Sequence, residues 1–176
     1  SGLGGLEEPA SQSYLATYPV FLKFFRSLMQ VDSDALILGA SLVYSWMPTI
    51  LTLEPQGVER AAAILNAVRR GEEPNEKDLG HLARTVNHSM VGASKLLHFC
   101  QPERFPIWDN RVCRFLDWPA ARVSKVEAYQ EYRETCRQLV ADPRFAAIHD
   151  RVVAEVGKVA PLRSVELLMY LGGARA

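Results

Sequence analysis

Cysteine is sparse, with three residues in 176 (Cys100, Cys113 and Cys136) at wide spacing. An odd, scattered set excludes a disulfide scaffold and reads as reduced thiols of a cytoplasmic protein. Neither charge sign prevails. Lys plus Arg number 20 and Asp plus Glu number 20, which excludes a strongly basic nucleic-acid coat and an acidic tail. Long apolar runs are missing too. The longest candidate, Ala35 to Leu53, is broken by Gly39, Ser41, Ser45, Pro48 and Thr49, so no membrane contact is expected. Ser1 to Gly5 carry no basic run, and no secretory signal is expected there. No Cys-x-x-Cys or His-x-x-x-His pair occurs, so neither a metal nor any other cofactor is expected.

What is present is helical patterning over a chain that is 48% hydrophobic and 23% charged, enough for one globular domain over residues 1–176. Apolar residues recur at helical spacing in 14–30, 33–47, 55–70 and 76–87. Start signals precede several of them: Asp32 or Ser33, Asn75 with Asp78 three residues on, Asp109, and Ser124 with Glu127. Asp142-Pro143 predicts another start, and Gly172-Gly173 closes a last helix from Ser164, in which Arg163 and Glu166 can pair across one turn. No strand pair stands out. The expected class is all-α, a compact multi-helix domain.

The neutral total hides an asymmetry. Residues 84–125 hold seven Lys/Arg against three Asp/Glu, together with Trp108, Trp118, Phe99 and Phe105. Basic and aromatic residues together suit phosphate contact and base stacking, or else a solvated helix face over core aromatics, and composition favours the second. Inside this segment, a Gly-containing turn is expected to open a short apolar helix from about Ala93 to Cys100, with Lys95 in its first turn. A loop bounded by Pro102 and Pro106 follows, and Asp109 caps the next helix. A helix start favours an anion and lowers the pKa of an amine placed there, which makes Lys95 a usable nucleophile. A carboxylate held by a helix start is a partner for a developing cation. His98 reads first as a buried, hydrogen-bonded histidine, and Trp108 as core.

These residues, Val91-Gly-Ala-Ser-Lys95 and Phe105-Pro-Ile-Trp-Asp109, resemble the helix-hairpin-helix DNA glycosylase superfamily, nearest its 8-oxoguanine glycosylase/lyase branch. The chain also looks like small bacterial and phage proteins with a Ser-Lys-x-Leu-His-Phe…Phe-Pro-Ile-x-Asp signature. The likeness covers roughly 25 residues within a hairpin-like stretch at about 84–116. It implies a two-lobed helical fold with Lys95 and Asp109 as catalytic lysine and aspartate. Gly92, Ala93, Ser94, Arg111 and Arg114 would then contact phosphate, and Trp46, Phe105, Trp108 and His98 are candidates for the base pocket. The implied partner is double-stranded DNA carrying a damaged base or an abasic site. The implied reaction is base removal through a lysine Schiff base, with no cofactor. Two other readings stay open: a catalytically inactive nucleic-acid or protein-binding module of the same fold, and an enzyme acting on a small nucleoside-like ligand.

Overall fold

The computed structural model describes residues 9–173 of the 176, with side chains from residue 12. Ser1 to Gly5 lie outside the described residues. Among these, nine α-helices and no β-strand occur: α1 (Pro9–Ser27), α2 (Ser33–Tyr44), α3 (Val58–Arg69), α4 (Glu76–Thr85), α5 (Met90–Cys100), α6 (Asn110–Phe115), α7 (Val126–Ala141), α8 (Phe145–Val156) and α9 (Pro161–Gly172). The chain is all-α, and none of these helices is long and apolar enough to cross a membrane.

Local chemistry explains most of the helix starts. The Asp32 carboxylate accepts from Ala35 N at 2.8 Å at the head of α2. Asn75 and Asp78 form a reciprocal capping box on α4. Two expected starts differ. Ser124 does not cap α7, because its hydroxyl donates to Ala121 O within the 3-10 turn Ala120–Ser124, and Lys125 takes the cap position without a side-chain bond. Asp142 binds Arg144 N and the Arg144 guanidinium, and α8 begins only at Phe145. The last helix starts at Pro161, earlier than Ser164, because proline suits the first helical position.

The helices fall into two groups. α5 packs against α1, α2, α3 and α4, while α9 packs against α6, α7 and α8. Rings of Tyr18, Phe21, Phe25 and Phe99 fill the first group. α4 turns into α5 through Asn87 and His88, both with φ near +50° (57° and 49°). Asn87 holds that left-handed turn by exchanging bonds with Thr52 and Ile50.

α5 is buried from Gly92 through Phe99, although it carries Ser94, Lys95 and His98. Two of these polar groups have a structural job. The chain from Arg104 to Trp108 is neither helix nor strand, and its Phe105–Trp108 part is buried. Buried carbonyls need donors. Four consecutive carbonyls each find a side-chain donor: Arg104 O takes Arg133 Nε (3.0 Å), and Phe105 O takes His98 Nδ1 (2.7 Å). Pro106 O takes Tyr129 Oη (3.2 Å) and Ile107 O takes Tyr132 Oη (2.9 Å), while the Ser94 hydroxyl donates to Val91 O (2.9 Å) within its own helix. Trp108 N donates to Ser94 Oγ at 3.0 Å. α5 on one side and α7 on the other therefore clamp this segment, and the clamp sets where Asp109 emerges.

Tyr132→Phe removes one donor and leaves the Ile107 carbonyl buried and unpaired. We expect a loss of about 1–3 kcal/mol in urea unfolding. A variant within about 0.5 kcal/mol of the parent would mean that this carbonyl has another donor.

Candidate functional site

A cavity of about 530 Å³ is walled by α1, the segment just after α2, the start of α5, the Ile107–Arg114 stretch and α9. Lys95 and Asp109 both line it, from different helices, as do Arg163 and Glu166. The two groups of helices thus each contribute charged side chains to one cavity.

Lys95 is 6% exposed. Because α5 begins at Met90 with Ser89 as its cap, Lys95 sits in the second turn rather than the first. Its amine lies within hydrogen-bond or ion-pair distance of no protein group among the described residues. Burial pushes the amine pKa down. The Asp109 and Glu166 carboxylates pull it partly back, and the Arg163 guanidinium adds to the lowering. Desolvation therefore does what the helix start was expected to do.

Asp109 is the cap of α6. Its Oδ1 accepts from Arg111 N (2.8 Å) and Val112 N (3.0 Å). Its Oδ2 has no partner among the described residues. The two backbone bonds hold the carboxylate in one place, which is what an electrostatic partner for a cation needs.

The spacing of Arg163 and Glu166 predicts a pair across one helical turn. They do pair, Arg163 Nη1 to Glu166 Oε2, but inside the protein, with Glu166 only 1% exposed. Burial pushes the Glu166 carboxyl up to about 7, against the pull of Arg163. Asp109 raises it further, and Lys95 lowers it. The signal was present as two opposite charges within the otherwise apolar run Leu162 to Leu171. Tyr14 and Tyr170, which also line the cavity, were not singled out either.

The remaining sequence candidates divide sharply. Trp46 lines the cavity, its indole donating to Thr17 Oγ1 at 2.8 Å. Arg111 lies over the Tyr170 ring at 4.5 Å on the cavity wall, and exposed Arg114 stands on the same wall. Phe105, Trp108 and His98 do not reach the cavity. Phe105 and Trp108 are fully buried, with the Trp108 indole donating to Val123 O. His98 donates from Nδ1 to Phe105 O and accepts at Nε2 from Tyr18 Oη (2.8 Å), and burial holds it neutral with a pKa of about 3. It is a structural clamp, not a wall of the pocket. Gly92, Ala93 and Ser94 lie inside α5 and are buried, so no phosphate reaches them there. A Cβ at Gly92 would come 2.6 Å from Tyr44 Oη, which explains the glycine by close packing.

Among the described residues no group of three or more His, Cys, Asp or Glu side chains is arranged to hold a metal ion. Compared with family models, curated proteins and solved structures, the chain matches none.

A carboxyl that holds its proton more tightly in the folded chain adds stability below its ordinary value of 4.5 and loses that contribution as pH rises through about 7. Glu166→Gln abolishes this dependence. The wild-type melting temperature is expected to fall relative to the variant between pH 4.5 and about 7, by calorimetry. A constant difference across that window would mean that Glu166 titrates alike in both states.

Proposed function

We propose that the protein is a DNA glycosylase/AP lyase that removes an oxidised or modified base through a Schiff base on Lys95. One observation carries this reading: a buried lysine, without a protein partner, opens onto a cavity that also holds a carboxylate locked by a helix start. A nucleophilic amine must be largely neutral, and desolvation favours that form. The cavity is of the size that admits one nucleoside unit, as flipping a base out of a duplex requires.

In this reading Lys95 Nζ bonds to the sugar C1′ while the bond from C1′ to the base breaks, and the electron pair leaves with the base. Asp109 stabilises the positive charge that develops on the sugar. The C1′–O4′ bond then opens, O4′ takes up a proton, and the resulting imine permits strand cleavage by β-elimination. A flat base meets aromatic side chains in Trp46, Tyr14 and Tyr170, which replace the buried Phe105 and Trp108 in that role. Arg111 and Arg114 supply positive charge to flanking phosphates, with double-stranded DNA as partner and the cytoplasm as compartment.

The test is borohydride trapping on duplexes carrying 8-oxoguanine or an abasic site. A covalent protein–DNA band is expected from the wild type. Lys95→Ala should abolish it, and Asp109→Asn should slow it by about a hundredfold. No band from folded protein on either duplex would overturn the reading and favour a small nucleoside-like ligand, for which the cavity volume is also adequate. Binding gives an independent check. Replacing both Arg111 and Arg114 by Ala should weaken duplex affinity and flatten its log–log salt slope by about 2. An unchanged slope would place the phosphates elsewhere.

A further inference from the structure

We propose that Glu166 is the proton relay for Lys95, taking the proton that its amine sheds as Nζ bonds to an electrophilic carbon. This rests on the reading of Lys95 as the nucleophile, but not on DNA as the substrate.

Three observations support it. First, Glu166 and Lys95 line one cavity from different helices, and no ion pair joins them among the described residues. Each feels the other's charge, and the proposal requires the proton to pass through water in the cavity or after a side-chain rotation. Second, the carboxylates are used differently. Asp109 holds two backbone N–H groups of α6, whereas Arg163 occupies only Oε2 of Glu166 and leaves Oε1 without a protein partner among the described residues. Third, a buried ion pair is poor evidence of stabilisation, since an apolar pair of equal volume commonly serves as well. Its placement in an otherwise apolar helix, facing a lysine across a cavity, calls for another use. Burial moves the two groups toward each other, the Glu166 carboxyl up and the Lys95 amine down, so the transfer between them is less uphill than for exposed groups.

The groups facing Glu166 come from every side. Arg163 and Tyr170 share α9, Lys95 comes from α5, and Asp109 from the head of α6. Tyr18 comes from α1, and Tyr132 and Cys136 from α7, while His149 of α8 bonds to Ser164 Oγ instead. Of the two carboxylates in this set, Glu166 is the more deeply buried and the one not engaged in capping a helix.

The step balances with any simple aldehyde. The Nζ–C bond forms at the carbonyl carbon, and the carbonyl oxygen leaves as water. Both hydrogens of that water come from the amine, and Glu166 carries them one at a time. With a damaged base as leaving group, the shed proton goes to the departing base.

The experiment uses the whole chain, propanal and cyanoborohydride, with Lys95 alkylation followed by peptide mass spectrometry across pH. In wild type the rate should rise through an inflection near pH 7. Glu166→Gln should slow it at least about tenfold and remove the inflection, and Glu166→Asp should restore part of both. An unchanged rate and profile in folded Glu166→Gln overturns the proposal, as does wild-type Lys95 reacting no faster than surface lysines. If Glu166→Gln does not fold, Arg163→Met with Glu166→Gln removes both charges and is scored the same way. The two failures are separable. Glu166-dependent alkylation with no product on either duplex retains the relay and rejects base excision. Duplex trapping with Glu166-independent alkylation does the reverse.

Discussion

Four consecutive peptide carbonyls, from Arg104 to Ile107, run without helix or sheet to pair them. Left unpaired, each buried one would cost about 1–3 kcal/mol. Side chains from two helices meet the demand: His98 from α5, and Tyr129, Tyr132 and Arg133 from α7, while Ser94 of α5 accepts from Trp108 N. A bond set of this kind allows one register. Sliding the segment by a residue would orphan several carbonyls at once. It therefore fixes the exit of the segment, where Asp109 opens α6 beside the cavity.

The same clamp explains why α5 tolerates polar residues in its buried face. Ser94 and His98 are satisfied by the segment they hold. Lys95, between them, is not. An ammonium there gains no hydrogen bond from a described residue, and the nearby carboxylates of Asp109 and Glu166 only partly offset the cost of its burial. Arg163 limits that offset, because it binds Glu166 and repels Lys95. Lys95, Asp109, Arg163 and Glu166 thus interact across a partly buried cavity, where their mutual effects are larger than at the surface.

Much of the local architecture was legible in the sequence. Asp32, Asn75 with Asp78, and Asp109 act as caps because each places a short acceptor next to free amides, a property of the residue and its neighbours alone. Ser124 with Glu127 carries the same pattern and does not cap, because the preceding 3-10 turn takes the serine hydroxyl first. The start of α5 was placed late because Gly92 suggests a turn, whereas it sits within the helix to clear Tyr44. Of the site, Lys95 and Asp109 were picked from a local pattern, and both reach the cavity. Glu166 was legible only as a partner for Arg163, because periodicity does not distinguish a helix buried on all sides from one buried on a single face.

The sequence by itself determined the helical class and most helix ends, and its local pattern singled out Lys95 and Asp109. These depend on interactions a few residues long, between a side chain and backbone groups of its own turn. Only the tertiary structure decided which aromatics wall the cavity and which fill the core. It alone also placed His98 as a clamp and brought Glu166 and Arg163 into the space of Lys95. Those outcomes depend on which helix faces meet, and the cavity that α5 and α9 both line brings Lys95 and Glu166 together from some seventy positions apart, about which local spacing carries no information.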